Sequence, residues 1–435
     1  IGQTMGLYDN PALAAYVDNI GTRIAAKSER PKLPWQFQVV DDPMVNAFAA
    51  GGGKIFLTRG MLAHLTSEAQ LATVLGHEVG HVTGHHASRA ASKTLLVMGA
   101  NELAKSLWKG WADAADVVNP ATELLMLRYS RDHEREADDL GYRYAIENDY
   151  EVREAPGVFT MLKKVADAKG RNPAHAWLSS HPESGARADK LAKRIAEHRP
   201  PLGITGKDEF LAITDKLIFE ADPRQGFFEG GVFKHPRLKY QITPPAGADA
   251  AISERALITF TKQGGGIKVG EAFDGATPAE ALEKFLAQDG VTKGEDFKLP
   301  LNVAHVGARF TRKNEKDQQE AGAIAFFTHQ GVVMKAGFLT AVDQAPAMEK
   351  AFLTSVATFA PLTEPAALAV QPARIKVVTV PEAMTLAEFA KKHPAVSVDR
   401  LALINQLEPE FLLAAGLRVK VVEGQLRDDH IKPKS

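Results

Sequence analysis

Two histidines four positions apart enclose a glutamate in His77-Glu78-Val79-Gly80-His81. On an α-helix, residues at that spacing lie one turn apart on the same face, so both imidazoles can aim a nitrogen at one metal ion. Glu78 leans over the open side, where a carboxylate can take a proton from metal-bound water. The chain has no cysteine. Histidine and carboxylate are therefore the strong zinc ligands it can offer.

The pair works only on a helix, and the flanking residues supply one. Ser67 followed by Gln70 reads as a capping box, Glu68 suits the positive end of the helix dipole, and Leu71, Val74, Leu75, Val79 and Val82 recur at helical intervals. Gly76, Gly80 and Gly84 oppose it, each costing about 1 kcal/mol relative to alanine in a helix interior. Packing or close approach by another element must offset that. The competing reading of the five residues is a chance match on a solvated helix face, and the rest of the chain decides between the two.

A catalytic zinc site has three protein ligands and one open position. Three candidates compete for the third place. The first is local: a histidine at 87 would continue the metzincin pattern, but position 87 is Ala. His86 falls one residue short, and His85, a further turn along the same helix, cannot converge with the other two. His85 and His86 read as polar or supporting residues. The second is Glu134 in Tyr129-Ser130-Arg131-Asp132-His133-Glu134-Arg135-Glu136-Ala137-Asp138-Asp139-Leu140-Gly141, where a helix would set Glu134 and Asp138 on one face. Glu134 would bind the metal and Asp138 would orient a ligand histidine through its second nitrogen. A solvated charged face is the ordinary alternative for such a run. The third is His181 in Ser180-His181-Pro182-Glu183-Ser184-Gly185-Ala186-Arg187.

His77-Glu78-x-x-His81 followed 53 positions later by Glu134-x-Glu136-Ala137-Asp138-x-x-Gly141 resembles the HtpX and CAAX-protease family of gluzincin metallopeptidases. The resemblance implies that Glu134 is the third zinc ligand, that Asp138 stands behind a ligand histidine, and that His133, Glu136 and Asp139 are outward or structural. It extends to Asn46-Ala47-Phe48-Ala49-Ala50-Gly51-Gly52-Gly53-Lys54-Ile55-Phe56-Leu57-Thr58-Arg59-Gly60, similar to the family's strand, glycine turn and strand. In zincins an edge strand above the zinc helix pairs with substrate backbone. That role falls on Asn46, Ala47, Phe48 and Ala49, against the alternative of an ordinary packed hairpin. In the BepA-like periplasmic branch, the histidine of the His-Pro motif can occupy the open position and hold the enzyme at rest. His181 is thus a self-inhibitory fourth ligand by resemblance; equally, His181 or Arg187 would donate to a tetrahedral oxyanion, or His181 would only cap a loop.

Chain length and composition set the remaining bounds. The 435 residues, 45% of them hydrophobic, are enough for about three domains with full cores. Basic and acidic side chains nearly cancel, 52 against 53, and no basic stripe interleaved with aromatics points to nucleic acid. No apolar run approaches the ~18–20 residues that span a bilayer. No signal peptide is visible, since Ile1 opens into Gly-Gln-Thr-Met, as it would in a mature chain. The periplasmic location rests on the resemblance alone.

The expected architecture is multidomain α+β. A mainly helical zincin-type domain with a small sheet covers 1–205, with an opening helix Pro11 to Lys27 capped by Asn10, strands within 35–58 and a closing helix Ala186 to His198. Leu95 to Val118, with Trp108 and Trp111, reads as a core-facing helix or a lid. Residues 220–362 read as an antiparallel sheet with helices on one face, resembling PsbP-like domains, with strands at Val232-Phe233, Leu238 to Thr243, Ala256 to Thr261 and Ala323 to Thr328. Helices are expected at Pro278 to Gln288 and near Ala345 to Phe359; His235, His305 and His329 are scattered and structural or exposed. After the prolines 361, 365 and 372, residues 374–424 form a β-α-α-β pattern similar to LysM peptidoglycan-binding domains, except that Ala383-Met384-Thr385 stands where that family has Gly-Asp-Thr.

The function this implies is a zinc metalloendopeptidase, one Zn2+ per chain, acting on unfolded or misassembled envelope proteins, with 374–424 as a peptidoglycan or envelope contact. Its rivals are a chaperone-like or binding protein whose zinc site is structural or blocked, and a cell-wall amidase or peptidase.

Overall fold

Asn10 Oδ1 accepts the Leu13 N–H at 3.1 Å and Pro11 takes the first helical position, which starts α1 (Pro11–Ala26) where the sequence expects it. Strands β1 (Gln36–Val40), β2 (Ala47–Ala50) and β3 (Lys54–Thr58) follow. The computed structural model describes residues 6–90, 129–167, 181, 184–253, 256–260, 265–272, 275, 277–314 and 318–426. The expected helix Leu95 to Val118, with Trp108 and Trp111, lies outside them, as do Ser180, Pro182 and Glu183.

The described residues divide into two compact units, one holding those of 6–90, 129–221 and 373–426 and the other those of 222–372. In the first unit β3 is central, parallel to β1 and antiparallel to β2, so β2 is an edge strand. Its residues alternate as a pleat requires: Ala47, Ala49, Ile55 and Leu57 join the main core, while Phe48 and Phe56 stack at 5.2 Å on the opposite face. Gly52 and Gly53, at φ of 78° and 84°, make the turn between β2 and β3.

Short helix α2 (Arg59–His64) leads into α3 (Glu68–Thr83), which carries the histidine pair. Ser67 Oγ accepts the Gln70 N–H at 3.2 Å, as a cap should, but the Gln70 side chain accepts from Thr66 N at 2.8 Å instead of closing the reciprocal bond to Ser67. Helix α4 (Arg131–Glu147) runs antiparallel against α3. A Cβ on Gly76 would lie 3.2 Å from Gly141 backbone, and one on Gly80 would lie 3.0 Å from Ala137 backbone. The α3 glycines and the small residues Ala137 and Gly141 are each spaced four apart, so the two backbones meet along matched stripes. That contact offsets the poor helix propensity of the glycines. Helices α5 (Ala155–Asp167), α6 (Ser184–His198) and α7 (Lys207–Thr214) complete the first part of the unit.

Residues 373–426 add the expected β-α-α-β order: strands Arg374–Thr379 and Arg418–Glu423 pair antiparallel, and helices Leu386–Lys392 and Val398–Asn405 lie between them in sequence. They join the core of the first unit. The fully buried Lys420 donates through Nζ to the carbonyls of Ala63 and Leu65 at 2.6 Å each, and Gln406 Nε2 donates to the His64 carbonyl at 2.9 Å. The Gln406 and Gln70 side chains also bond each other, at 2.8 and 2.9 Å. The turn that launches α3 is thereby tied to the C-terminal segment.

The second unit is built on a seven-stranded antiparallel sheet in the order 292–296, 305–313, 319–329, 332–341, 266–271, 256–260 and 249–253. Here the sequence reading needs correction: the two main helices cover opposite faces, not one. Phe352 of Ala345–Val356 packs with Phe297, Phe327 and Phe338, whereas Phe285 of Pro278–Leu286 packs with Phe310, Ile324 and Phe326. The central strand Gln319–His329 is apolar on both faces through Ala323 to Phe327, so each face needs a cover. His235 is buried, His305 Nε2 accepts from Leu299 N at 3.0 Å, and His329 Nε2 lies 2.9 Å from the Lys239 carbonyl, which are structural placements.

The α3–α4 contact can be tested at Gly141. An unconstrained Gly to Ala change in a helix would stabilise by about 1 kcal/mol. Here the new methyl would sit 2.9 Å from His77 N, against backbone that cannot swing aside. Gly141→Ala is expected to lower stability by about 1–3 kcal/mol, read as a lower urea midpoint at constant m-value. A midpoint equal to or above wild type would show that the helices do not meet this closely.

Candidate metal centre

The antiparallel stripes of α3 and α4 set the donors side by side, because His77 and His81 each follow an interface glycine by one residue while Glu134 and Asp138 flank Ala137. His77 Nε2 and His81 Nε2 are 2.9 Å apart, and Glu134 places its carboxylate oxygens 3.6 Å from the first and 3.4 Å from the second. His181 closes the group, its Nδ1 lying 3.0 Å from Glu134 Oε1 and 3.3 Å from His77 Nε2. One donor atom from each of the four falls within 4.8 Å of every other, and all four residues are buried. Tetrahedral zinc with bonds of about 2.0–2.1 Å separates its ligand atoms by about 3.3 Å. The donor set therefore fits zinc in both chemistry and spacing. It is the one such cluster among the described residues.

Glu78 is fully buried beside this group, and neither carboxylate oxygen has a hydrogen-bond partner; the nearest ionisable contact is His181 Nε2 at 3.7 Å. Burial raises its pKa above the ordinary carboxylate value, opposed by the charges of His181 and His77. For Glu134 burial works the same way but loses, since the charge and hydrogen bond of His181 hold its carboxyl well below the ordinary range. Two neighbouring buried carboxyls are thus shifted in opposite directions, Glu78 upward and Glu134 downward.

Asp138 and Arg187 stand behind His77. Asp138 Oδ1 is 3.0 Å from His77 Nδ1, and Arg187 from α6 donates to both Asp138 oxygens, at 2.8 Å through Nε and 2.6 Å through Nη2. Burial would raise the Asp138 pKa, but the Arg187 charge and the His77 contact bring it to about 2. Arg187 Nη1 also lies 2.7 Å from Glu134 Oε2, and the guanidinium covers the Phe159 ring at 4.5 Å.

The residues to which the sequence assigns metal-binding, catalytic or ligand-supporting roles on the two motifs and the His-Pro segment are gathered here: His77, Glu78, His81, Glu134, Asp138, His181 and Arg187. Ala47, Phe48 and Ala49 lie instead on the edge strand β2 and pair with β3, and Asn46 just precedes the strand, its N–H donating to Thr58 Oγ1 at 3.0 Å. Glu136 pairs with Arg89 at 2.7 Å and Asp139 with Arg194, both partly exposed. One local expectation is corrected. Helix α3 stops at Thr83 and Gly84 caps it, so His85 does not extend the same helix; it takes a left-handed conformation, φ 56°, and is exposed. Sequence reasoning missed Tyr129, whose ring stacks on His81 at 4.0 Å, and no spacing rule would have found it.

Comparison with known proteins agrees with this geometry. Residues 11–195 match the model of peptidase family M48, the span that carries the donors. The matched segment is 37% identical over 171 residues to the mitochondrial metalloendopeptidase OMA1 of Arabidopsis thaliana, covering 39% of this chain and 33% of that protein. It is similar to the putative beta-barrel assembly-enhancing protease of Vibrio cholerae, 29% identical over 202 residues with 45% and 41% covered. The beta-barrel assembly-enhancing protease of Escherichia coli K12 is 27% identical over 215 residues, with 47% and 44% covered. The chain spans less than half the length of each of these relatives.

The support of His77 by Asp138 has a direct test. Asp138→Asn removes the charge that orients the ring and is expected to raise the zinc dissociation constant about 10–100-fold, measured by competition with a chromophoric chelator. An unchanged constant would show that Asp138 does not act through His77.

Proposed function

We propose that the chain is a zinc metalloendopeptidase in which His77, His81 and Glu134 hold the metal and Glu78 is the general base. The observation that carries this is the convergence of those three donors beside a buried carboxylate that makes no hydrogen bond. When bound, zinc supplies a Lewis acid that polarises a carbonyl and brings the pKa of water to about 7. Glu78 receives the proton of the attacking water and returns it to the leaving amine; its burial favours the protonated form that the second step needs. Asp138 and Arg187 keep His77 and Glu134 in place. The free edge of β2, at Asn46 to Ala49, is suited to pairing with an extended peptide.

His181 is the fourth donor in this reading and acts as a displaceable block. Its position against Glu134 and His77 also favours the second reading, a protein whose site is permanently closed and whose work is binding. By resemblance and by the names of the bacterial relatives, the substrates are unfolded or misassembled proteins of the envelope and the compartment is the periplasm. No described helix is long and apolar enough to cross a membrane. The second unit fits a recruiting role. For 374–424, the buried bonds of Lys420 and Gln406 support a docking or structural role better than glycan capture.

Digestion of unfolded casein separates the readings. The zinc-loaded wild type is expected to cut and to lose activity with a chelator, and Glu78→Gln is expected to fall about 10²–10⁴-fold while retaining zinc. His181→Ala should cut faster than wild type. If zinc-loaded wild type and His181→Ala both leave casein intact, the binding protein is the correct reading.

A further inference from the structure

The two ligand histidines are braced in parallel ways, and only one brace is anticipated by the family pattern. His77 Nδ1 meets Asp138, which is gripped by Arg187. His81 Nδ1 meets no carboxylate; it lies 2.9 Å from Nδ1 of His86. His86 Nε2 lies 3.3 Å from Glu136 Oε2, and that same oxygen is 2.7 Å from Arg89 Nη1. Both arms end in a carboxylate and an arginine. The second has an extra imidazole inserted.

We propose that His86 is a positioning residue for the metal site, holding the ring plane and tautomer of His81 through Nδ1 and held in turn by Glu136 and Arg89. The inference rests on the reading that His77, His81 and Glu134 bind the metal. If His81 offers Nε2 to the metal, its Nδ1 carries the proton and donates it to the unprotonated Nδ1 of His86. The proton of His86 is then on Nε2, the nitrogen that faces Glu136.

The backbone is shaped to make this contact. Helix α3 ends at Thr83, the left-handed turn at His85 redirects the chain, and His86 returns its ring over the end of the helix. Gly84 leaves the room: a Cβ there would lie 2.4 Å from His86 Nε2. The returned ring is 0% exposed although its neighbours His85 and Ala87 are exposed. The His133 ring stacks on its outer face at 4.6 Å with an interplanar angle of 9°. A histidine that merely filled space would need neither the aligned nitrogens nor the carboxylate behind it. The arrangement also gives Glu136, the second glutamate of the Glu134-x-Glu136-Ala137-Asp138 run, a task of its own.

Zinc affinity of the full-length protein, by competition with a chromophoric chelator, tests this, because a space-filling role would alter apo-protein stability without altering affinity. The variants are His86→Leu, His86→Asn, Glu136→Gln and, as a reference, His81→Ala. Asparagine places an acceptor oxygen where His86 has Nδ1, and leucine places none. His86→Leu is expected to raise the dissociation constant about 10–100-fold, with His86→Asn recovering most of that loss. Glu136→Gln, at a half-exposed position that tolerates change, is expected to raise it severalfold. Wild-type affinity in His86→Leu, or equal losses in the leucine and asparagine variants, would overturn the proposal, as would wild-type affinity in Glu136→Gln for the outer part of the arm. If His81→Ala itself binds zinc as wild type does, the metal-site reading fails instead.

Discussion

The close approach of two helix backbones is the constraint from which the rest of this site follows. A Cβ on Gly76 would meet Gly141 backbone at 3.2 Å and one on Gly80 would meet Ala137 backbone at 3.0 Å, tighter than ordinary contact, so α3 and α4 run side by side at close approach. Donors next to these contact points cannot help converging: His77 and His81 project from one helix, Glu134 and Asp138 from the other. Glycine in a helix is unfavourable by itself. Its presence at both contact positions of α3 is explained by what it allows the second helix to do.

Burying this much charge requires an account of where each charge is satisfied. Asp138 and Arg187 form a two-point pair, Glu134 contacts Arg187 and His181, and His81 contacts His86. Unpaired ions in such a setting carry a penalty of several kcal/mol. Glu78 is the exception, buried with neither oxygen bonded, and burial moves it toward the protonated form. Glu78 thus differs from Glu134 and Asp138 in electrostatic setting and not only in position.

Much of this was legible in the sequence because the relevant rules are local. The cap at Asn10, the helix containing His77 and His81, the Gly51 to Gly53 turn and the β-α-α-β order of 374–424 follow from capping residues, period and turn chemistry. The proposed third ligand is not local, and residue spacing leaves Glu134 and His181 in competition; only the whole run around Glu134 favours one of them. The end of α3 differs from the expectation: Gly84 caps the helix and His85 turns left-handed, with no proline in the sequence to mark the stop. In the second unit, strands such as Val332–Ala341 went unseen and both sheet faces proved covered, since apolar residues on alternate sides of Ala323 to Phe327 do not by themselves say how many helices will arrive. Likewise, nothing in the pattern of 374–424 announces that Lys420 is buried against the turn before α3.

The central claim is that side chains from two helices share one ion. X-ray absorption at the zinc edge of the protein loaded with one equivalent reads this directly. The account predicts a four-coordinate shell at about 2.0–2.1 Å, with the multiple-scattering signature of at least two imidazoles and one carboxylate oxygen. A shell of oxygen donors alone, or one lacking imidazole scattering, would contradict it.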